Sequence, residues 1–373
     1  MRTARAVRAD YPIKTVRARA YRIPVQQQPH ESDGTLTWNS TTMVLAEIAA
    51  GDVTGIGYTY ADASAAHLIN GMLAGSLQGE DALATPARYA QMCAAIRNNG
   101  RAGITAMGVS ALDIALWDLK GKVLETPVFA LLGSARTSVP VYGSGGFTSY
   151  TVQRLQEQLA EWACDMRIPR VKMKVGREPA ADADRVAAAR AAIGAQAELF
   201  VDANGAYVVE QALEMAQRFA ESRVTWFEEP VYHNDLQGNA RVRAHVPPGM
   251  EVSNGEYGYA PHDFMHIIEQ GAADVLQADV TRCGGYTGFL AADALCLAHN
   301  VPLSSHCAPY VTLQAAASAK MLRHVEFFYD HVLIEQRFFD GTLQPQGGTL
   351  TPFADRPGIG LEFKAADAQE YLV

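Results

Sequence analysis

Three apolar runs in the middle of the chain each lead into an acidic residue: ELFVD at 198–202, VTWFE at 224–228 and MEVSNGE at 250–256. The acids Asp202, Glu228 and Glu256 follow one another at intervals of 26 and 28 residues. One strand–helix repeat of a (β/α)₈ barrel takes about 25 residues, since the whole barrel takes roughly 200–250. Because the carboxyl ends of barrel strands meet on one face, we expect the three carboxylates to lie close together.

A cluster of three carboxylates is unfavourable unless a cation neutralises it. The predicted cluster offers hard oxygen ligands without cysteine or histidine, and this set favours Mg²⁺. An acid at the end of a strand can instead cap the helix that follows, and for any one of the three this is the more common role. The regular spacing of all three favours a metal site with Asp202, Glu228 and Glu256 as ligands.

The same alternation of strand, loop and helix extends over residues 136–340 and predicts a barrel domain. Helical segments, such as 152–163, 181–192, 209–219 and 288–299, separate the strands. Eight strands alternating with helices are typical of an α/β fold with a parallel TIM barrel. The predicted strands lie near 139–142, 170–175, 198–201, 224–227, 250–252, 273–277, 301–304 and 325–328.

Residues 1–135 follow a different pattern, which predicts an α+β domain. Alternating apolar residues indicate strands at 15–21, 42–49 and 55–60, and helical segments occupy 67–131. Apolar residues recur at helical spacing from Val109 to Leu119, and Gly121 is expected to end that helix. The C-terminal segment, residues 341–373, leaves the barrel pattern and is expected to pack back on this first domain.

A polar segment at 26–39 separates the first two predicted strands and is too long for a hairpin turn. Long loops in compact domains are usually lids or binding loops, so we expect this one to cover a substrate. Surface loops are polar in any case, but several of its side chains could bind a polyol: Gln26, Gln27, Gln28, His30, Glu31, Ser32 and Asp33.

Length and composition exclude several classes of function. The 373 residues suggest two domains, and a net charge of −9 argues against a nucleic-acid-binding protein. No run approaches the roughly 18 apolar residues of a membrane span. The five cysteines show no CxxC or zinc spacing, which favours a reducing compartment. The N-terminal arginines precede no apolar segment, so we expect no signal peptide and a cytoplasmic location.

Two lysines end the second predicted barrel strand. Lys172 and Lys174 are two residues apart and therefore share one face of the strand. Solvated charges at an exposed strand end are the more common explanation of such a pair, but catalytic residues of barrels lie at this end. Because a neighbouring cation disfavours the protonated amine, one lysine is a candidate base near neutral pH.

The last three predicted strands end in further candidates. Asp279 and His306 follow adjacent strands, so the carboxylate can orient the imidazole and stabilise its protonated form. A single buried histidine more often has a structural role, but the pairing favours catalysis. On the eighth strand, Glu326 is either a surface glutamate or a group that hydrogen-bonds a substrate oxygen as charge develops on it.

In combination, these residues resemble the enolase superfamily, and within it the mandelate racemase-like subgroup. The resemblance covers nearly the whole chain, in order and in spacing. It rests on the following motifs: SALDIALWD at 110–118, Lys172-Met173-Lys174, Asp202-Ala203-Asn204, Phe227-Glu228-Glu229-Pro230, Gly255-Glu256, Asp279 five residues before Gly284-Gly285, and Ser304-Ser305-His306. It implies a (β/α)₇β-type barrel with an N-terminal capping domain.

The resemblance also implies roles for the metal-binding and lysine residues. Asp202, Glu228 and Glu256 match the Mg²⁺ ligands of the family. Lys174 matches one catalytic base, while Lys172 matches the cation that contacts the substrate carboxylate and lowers the pKa of its neighbour.

For the opposite side of the substrate, the resemblance implies a second set of roles. His306 with Asp279 matches the second acid/base, Glu326 matches a hydrogen-bond donor to the carboxylate, and Asn204 matches a substrate contact. Members with a muconate-cycloisomerase-like site carry lysine at the position of Asp279, so the resemblance to that subgroup is weaker.

These roles indicate chemistry at the carbon next to a carboxylate. We expect removal of the α-proton, followed by β-elimination of water from an aldonic or aldaric acid to give a 2-keto-3-deoxy acid. Racemisation or epimerisation of a 2-hydroxy acid or amino-acid derivative would use the same residues and is the alternative. A barrel that has lost catalysis is disfavoured, because both bases and all three ligands are present. The family often forms homo-oligomers, so we expect one here.

Overall fold

The computed structural model describes residues 11–25 and 30–373. None of the helices in these residues combines the length with the apolar character of a membrane-spanning segment. The expectations for the N-terminal arginines and for Gln26, Gln27 and Gln28 concern residues outside the described part of the chain. His30 and the residues after it in the polar loop are described.

An antiparallel sheet forms the base of the N-terminal region. Its three long strands pair in the order β1–β4–β5. Strand β1 largely alternates buried and exposed side chains, whereas β4 and β5 carry continuous buried runs, so the middle of the sheet is covered on both faces. A two-residue pair, β2–β3, forms a small hairpin inside the polar loop. The strands are β1 (Ile13–Pro24), β2 (Glu31–Ser32), β3 (Thr37–Trp38), β4 (Ser40–Ala50) and β5 (Val53–Tyr60).

Helices pack on this sheet, as the sequence predicts, and the longest of them crosses β4 and β5. They are α1 (Ser64–Leu68), α2 (Ala74–Leu77), α3 (Thr85–Ala95), α4 (Ile104–Val123) and α5 (Val128–Leu132). The prediction that Gly121 ends α4 is wrong, because the helix continues to Val123. A Cβ at Gly121 would lie 2.6 Å from the Cα of Gly358, so close approach of the C-terminal segment explains this glycine.

A closed parallel barrel of eight strands follows, which confirms the predicted fold. Each strand pairs with its neighbours in sequence, and the last strand pairs with the first at Val325 and Val141. The strands are β6 (Val139–Gly145), β7 (Arg170–Lys174), β8 (Glu198–Asp202), β9 (Val224–Glu228), β10 (Glu251–Asn254), β11 (Val275–Ala278), β12 (Leu303–Ser305) and β13 (Leu322–Phe328).

Seven helices join consecutive barrel strands, and an eighth leads from β13 to the C-terminal segment. In α8 the buried positions recur every three or four residues, which places its apolar face against the barrel. The helices are α6 (Val152–Ala160), α7 (Pro179–Ile193), α8 (Val209–Glu221), α9 (Leu236–Arg243), α10 (Pro261–Glu269), α11 (Gly285–His299), α12 (Pro309–Ser318) and α13 (Tyr329–Phe338).

Helix α4 of the N-terminal region supplies the N-terminal hydrogen bonds of barrel helix α11. Ser110 accepts a hydrogen bond from the Gly284 amide at 2.8 Å, and Asp113 accepts one from the Thr287 amide at 3.0 Å. The Thr287 hydroxyl donates to the same carboxyl group at 2.7 Å. The first amides of a helix have no partner inside the helix, so these side chains satisfy donors that α11 itself cannot.

The C-terminal segment contacts both parts of the molecule. The Val373 amide donates to the Ala20 carbonyl of β1 at 3.0 Å. Asp118 of α4 accepts hydrogen bonds from the amides of Ile56 and Ile359, both at 2.8 Å, and so joins this segment to the N-terminal sheet. Strand β14 (Phe339–Asp340) leads into the segment, whose own elements are β15 (Thr349–Leu350), β16 (Glu362–Phe363) and α14 (Ala365–Ala368).

Candidate active site

The three predicted metal ligands lie together at the carboxyl ends of neighbouring strands. Asp202 ends β8, Glu228 ends β9, and Glu256 lies two residues beyond β10. All three are buried, and one carboxylate oxygen from each lies within 4.8 Å of the others. Carboxylates at this separation repel one another strongly unless positive charge is supplied.

Both lysines of β7 point into this carboxylate cluster. The Lys172 Nζ donates to Glu228, lies 2.8 Å from Glu326 and lies 3.8 Å from Asp202. The Lys174 Nζ donates to Asp202. The two lysines therefore lie on one side of the carboxylate cluster and neutralise part of its negative charge.

The pKa of Lys174 is raised, whereas the sequence predicts that a neighbouring cation lowers it. Burial favours the neutral amine, and Lys172 lowers the pKa of Lys174 as expected. The adjacent Asp202 carboxylate outweighs both, so the pKa of Lys174 is raised overall. A lowered pKa at Lys174 therefore requires that something else neutralise Asp202.

On the other side of the cluster, Asp279 and His306 form the predicted pair. The His306 Nδ1 lies 2.7 Å from an oxygen of Asp279, whose other oxygen accepts two hydrogen bonds from Thr281, both at 2.7 Å. The His306 Nε2 lies 3.4 Å from Glu256. Burial lowers the pKa of His306, but the carboxylates of Glu256 and Asp279 outweigh it and raise this pKa overall.

Glu326 of β13 lies between the lysines and the histidine. One of its oxygens is 2.8 Å from the Lys172 Nζ, and the other accepts a hydrogen bond from the Cys307 amide at 2.7 Å. Burial raises the pKa of Glu326, but Lys172 outweighs burial and lowers it. Glu326 is therefore an acceptor here, and its predicted role as a donor requires that it gain a proton when another carboxylate approaches.

Asn204, the predicted substrate contact, lines a cavity of about 180 Å³ above the cluster. Its backbone φ is +46°, a conformation that asparagine tolerates better than most residues, and its amide donates to Asp202 at 2.8 Å. Its side-chain oxygen accepts no hydrogen bond from the described residues. Lys174, Glu256, Asp279 and His306 line the same cavity.

Sequence reasoning did not identify two charged residues of this site. Arg282 lies 3.4 Å from both Glu256 and Asp279. Glu229 is buried beside the cluster, and burial together with Glu256 raises its pKa well above the usual value. The signals were present, since Arg282 lies three residues after Asp279 and Glu229 follows Glu228 directly.

The composition of the cluster fits a hard divalent cation. Five buried carboxylic acids lie together with two buried lysines, and the ligand atoms are all oxygens. The Glu256 Oε2 is buried and accepts no hydrogen bond from the described residues. Three hard oxygen donors suit a cation of the Mg²⁺ type better than a soft metal. The buried acids counted are Asp202, Glu228, Glu229, Glu256 and Glu326.

The barrel carries three acids at the ends of consecutive strands, and an α+β domain covers this end of the barrel. This arrangement is that of the enolase-like class of proteins. Models of protein families give the same result. Residues 154–368 match the family described as enolase C-terminal domain-like, and residues 15–133 match the N-terminal domain of mandelate racemase and muconate lactonizing enzyme. The chain therefore belongs to the enolase superfamily and to its mandelate racemase-like subgroup.

Similar proteins include both enzymes and structures without a stated reaction. A 3,6-anhydro-alpha-L-galactonate cycloisomerase of Streptomyces coelicolor is 33% identical over 94% of this chain and 96% of its own length. A mandelate racemase/muconate lactonizing enzyme-like protein from Rubrobacter xylanophilus has 50% identity and a TM-score of 0.94, over 97% of this chain and 100% of that one.

A dehydratase provides the third comparison. The L-talarate/galactarate dehydratase of Salmonella typhimurium is 30% identical over 85% of this chain and 79% of its own length. A structure of an enzyme of that name, liganded with Mg and L-glucarate, matches with a TM-score of 0.89 at 26% identity, over 100% of this chain and 95% of that one. Similar proteins thus include sugar-acid dehydratases and cycloisomerases, some with magnesium bound.

Proposed function

We propose that this protein is a Mg²⁺-dependent hydro-lyase that dehydrates a sugar acid to a 2-keto-3-deoxy acid. The observation that carries the proposal is the placement of two proton-transfer groups around one carboxylate cluster. Lys174 lies on one side, next to Asp202, and the Asp279–His306 pair lies on the other, next to Glu256. Elimination needs both a base and an acid, and this arrangement supplies them.

The first step is removal of the proton on C2, next to the substrate carboxylate, by Lys174 or His306. The electrons of the C2–H bond move towards the carboxylate and give an enediolate with two negative charges. Lys172 would stabilise the developing charge, and Glu326 would hydrogen-bond to it once protonated. Mg²⁺ held by Asp202, Glu228 and Glu256 would supply further electrostatic stabilisation of the carboxylate oxygens.

The second step expels the hydroxyl group on C3. The enediolate electrons form a C2–C3 double bond, the C3–O bond breaks, and the leaving hydroxyl takes a proton from the His306 imidazolium to become water. The resulting enol gains a proton at C3 and loses one from its C2 hydroxyl, which gives the 2-keto-3-deoxy acid. Asp279 would keep His306 in the orientation and tautomer that this transfer needs.

A screen with purified protein, Mg²⁺ and a library of sugar acids tests the proposal. We expect one group of related acids to yield a 2-keto acid, detected by semicarbazide absorbance and identified by NMR. Exchange of the α-proton in D₂O without loss of water would instead favour racemisation or epimerisation. No turnover and no exchange on any acid, with Mg²⁺ bound, would overturn the proposal.

A second candidate is cycloisomerisation, in which the group that leaves C3 is a ring oxygen instead of a hydroxyl. It is favoured by the two curated relatives with 33% and 31% identity, which are 3,6-anhydro-alpha-L-galactonate and D-galactarolactone cycloisomerases. The first proton transfer, from C2, is the same, but no water is released. Turnover of a lactone or an anhydro acid, without turnover of the open-chain acid, would select this reaction.

A further inference from the structure

The cavity above the carboxylate cluster has two chemically different walls. The barrel wall carries Lys174, Arg282 and His306 together with the acids they contact. The opposite wall, here called the cap wall, is built from the β2–β3 hairpin, the neighbouring strands β4 and β5, and the start of α13. Its members are Asp33, Leu36, Trp38, Thr41, Tyr60, Asp330 and His331. The part of a substrate far from its reacting carboxylate would face the cap wall.

The cap wall carries negative charge and, among the described residues, no lysine or arginine. Asp33 and Asp330 are both nearly buried, and Asp330 accepts a hydrogen bond from the Trp38 indole at 3.0 Å. Burial and Asp330 raise the pKa of the adjacent Glu31 to about 10, and burial also raises the pKa of Asp330, so this buried pair holds one proton near pH 7 and carries a single negative charge. Carboxylates accept hydrogen bonds from hydroxyl groups and repel a second carboxylate.

His331 adds a neutral donor to this wall. Its Nδ1 accepts a hydrogen bond from the Ala308 amide at 3.2 Å, and a backbone amide can only donate. Nδ1 is therefore unprotonated and Nε2 carries the hydrogen. No hydrogen bond joins Nε2 to the described residues, although the ring lines the cavity. Burial lowers the pKa of His331 to about 3, which keeps the ring uncharged.

The surroundings of His331 fix the ring in one orientation. Tyr60 stacks on it with ring centroids 3.4 Å apart and planes inclined by 13°. Cys307 and Ala308 both have positive φ, at 50° and 43°, and this unusual backbone directs one amide to Glu326 and the next to His331. Such a conformation is strained for residues other than glycine, so the two hydrogen bonds must hold it in place.

We propose that the cap wall selects the neutral, hydroxyl-bearing end of a monocarboxylic sugar acid, and that the Nε2–H of His331 donates a hydrogen bond to one of its hydroxyl oxygens. A dicarboxylic sugar acid would bring a second carboxylate against Asp33 and Asp330, and no lysine or arginine among the described residues lines that wall to receive it. The proposal rests on the proposed function and narrows its substrate class. His331 is a specificity residue in this account and takes no part in proton transfer.

Matched pairs of acids test the substrate class. Each pair has the same stereochemistry at C2–C5 and differs only in the terminal group, which is CH₂OH in the aldonic acid and COO⁻ in the aldaric acid. We expect kcat/KM to favour the aldonic acid by roughly a hundredfold or more. Turnover of aldaric acids with equal or higher kcat/KM would overturn this inference and leave the dehydratase intact. Failure with both members of every pair, in a protein that binds Mg²⁺, would count against the dehydratase itself.

Two variants test the contributions of the two His331 nitrogens separately. In His331→Asn the side-chain oxygen can still accept from Ala308, but the outer donor is lost. In His331→Gln a donor reaches the position of Nε2, but the Ala308 amide loses its partner. Both variants lose the stacking on Tyr60 and should lower the melting temperature, but His331→Asn less so, because it keeps the acceptor for Ala308. We expect His331→Asn to raise KM for the preferred acid about tenfold or more, with kcat less affected. An unchanged KM in His331→Asn would contradict the role of Nε2. His331→Gln should show the opposite pattern, with a lower melting temperature and a smaller change in KM.

A gain of charge on the cap wall provides an independent test. Leu36 lines the cavity mouth and is 61% exposed, so a longer side chain fits there without disturbing the core. Leu36→Arg would supply the missing cation, and Leu36→Gln is its neutral control. We expect only Leu36→Arg to raise the ratio of aldaric to aldonic turnover. Equal ratios in the two variants would show that charge on this wall does not set the preference.

Discussion

Glu228 is fully buried and contacts both a lysine and a second carboxylate of the cluster. One oxygen accepts a hydrogen bond from Lys172, and the other accepts one from the Trp226 indole at 2.9 Å. The strand register places Glu228 beside Asp202 on β8. Its position is therefore fixed by neighbours on three strands, as a metal ligand requires.

Replacing Glu228 with Gln should weaken Mg²⁺ binding and catalysis together. The amide has nearly the shape of the carboxylate but lacks its charge, so the cluster loses one of three anionic ligands. We expect isothermal titration calorimetry to show a Kd raised about tenfold or more, with activity reduced to match. Glu210→Gln, on the exposed face of α8, controls for the loss of one negative charge. Unchanged Mg²⁺ affinity in Glu228→Gln would remove Glu228 from the ligand set.

Replacing His306 with Asn should abolish dehydration and leave Mg²⁺ binding intact. The variant removes the nitrogen that would protonate the leaving hydroxyl, while Asp202, Glu228 and Glu256 are untouched. We expect kcat to fall by at least about 10². Dehydration at the rate of the unmodified enzyme would contradict the role of His306.

Among the elements, α4 has a role that its sequence pattern did not explain. Its motif at 110–118 carried part of the family resemblance, but its apolar spacing alone predicts only a packed helix. The structure shows why polar residues occur there, because Ser110 and Asp113 cap α11 and Asp118 joins β5 to the C-terminal segment. The contacts with α11 span 174 positions of the sequence and the contact with the C-terminal segment spans 241, so no local pattern could reveal them.

Asp113→Ala should destabilise the protein by leaving the first turn of α11 without its acceptor. Loss of a buried acceptor for the Thr287 amide and hydroxyl should cost about 1–3 kcal/mol in urea unfolding. Asp113→Asn keeps one acceptor oxygen and should cost less. A loss of the same size in both variants would mean that the effect comes from the charge of Asp113 and not from capping.

The β2–β3 hairpin should make stability depend on pH through Glu31. Burial, followed by Asp330, raises the pKa of Glu31 from 4.5 to about 10. The folded state thus keeps a proton that the unfolded state releases, and the free energy of unfolding must fall as pH rises between these values. Glu31→Gln cannot titrate, so its stability relative to the unmodified protein should improve from about pH 6 to about pH 9. A constant difference across this range would contradict the buried Glu31–Asp330 pair.

The barrel strands were predictable from sequence, whereas the cap wall of the cavity was not. Strand ends repeat at a regular interval, and this interval predicts that Asp202, Glu228 and Glu256 lie close together. Asp330 and His331 begin a helix, and their significance depends on contacts with Trp38 and Ala308. Such contacts follow from how the two regions dock, which periodicity does not encode.

In the whole molecule, the N-terminal region and the barrel share one hydrophobic core. Tyr21, Leu45 and Tyr58 from the N-terminal sheet belong to the same buried cluster as Val141 and Phe227 from the barrel strands. The candidate active site is shared in the same way, since the cap wall combines residues of the N-terminal region with Asp330 and His331 of α13, which follows the last barrel strand. The residues proposed to transfer protons thus lie at the ends of rigid barrel strands, and the residues proposed to set specificity lie on the cap wall.

The most direct test of this account is the fate of the α-proton of sugar acids in D₂O, followed by ¹H NMR. Dehydration, cycloisomerisation and racemisation all begin with loss of this proton, so the measurement tests the step that they share. We predict Mg²⁺-dependent loss of the C2 proton, with deuterium appearing at C3 of a 2-keto-3-deoxy acid. Retention of the C2 proton in every acid, by a folded protein with Mg²⁺ bound, would contradict the account.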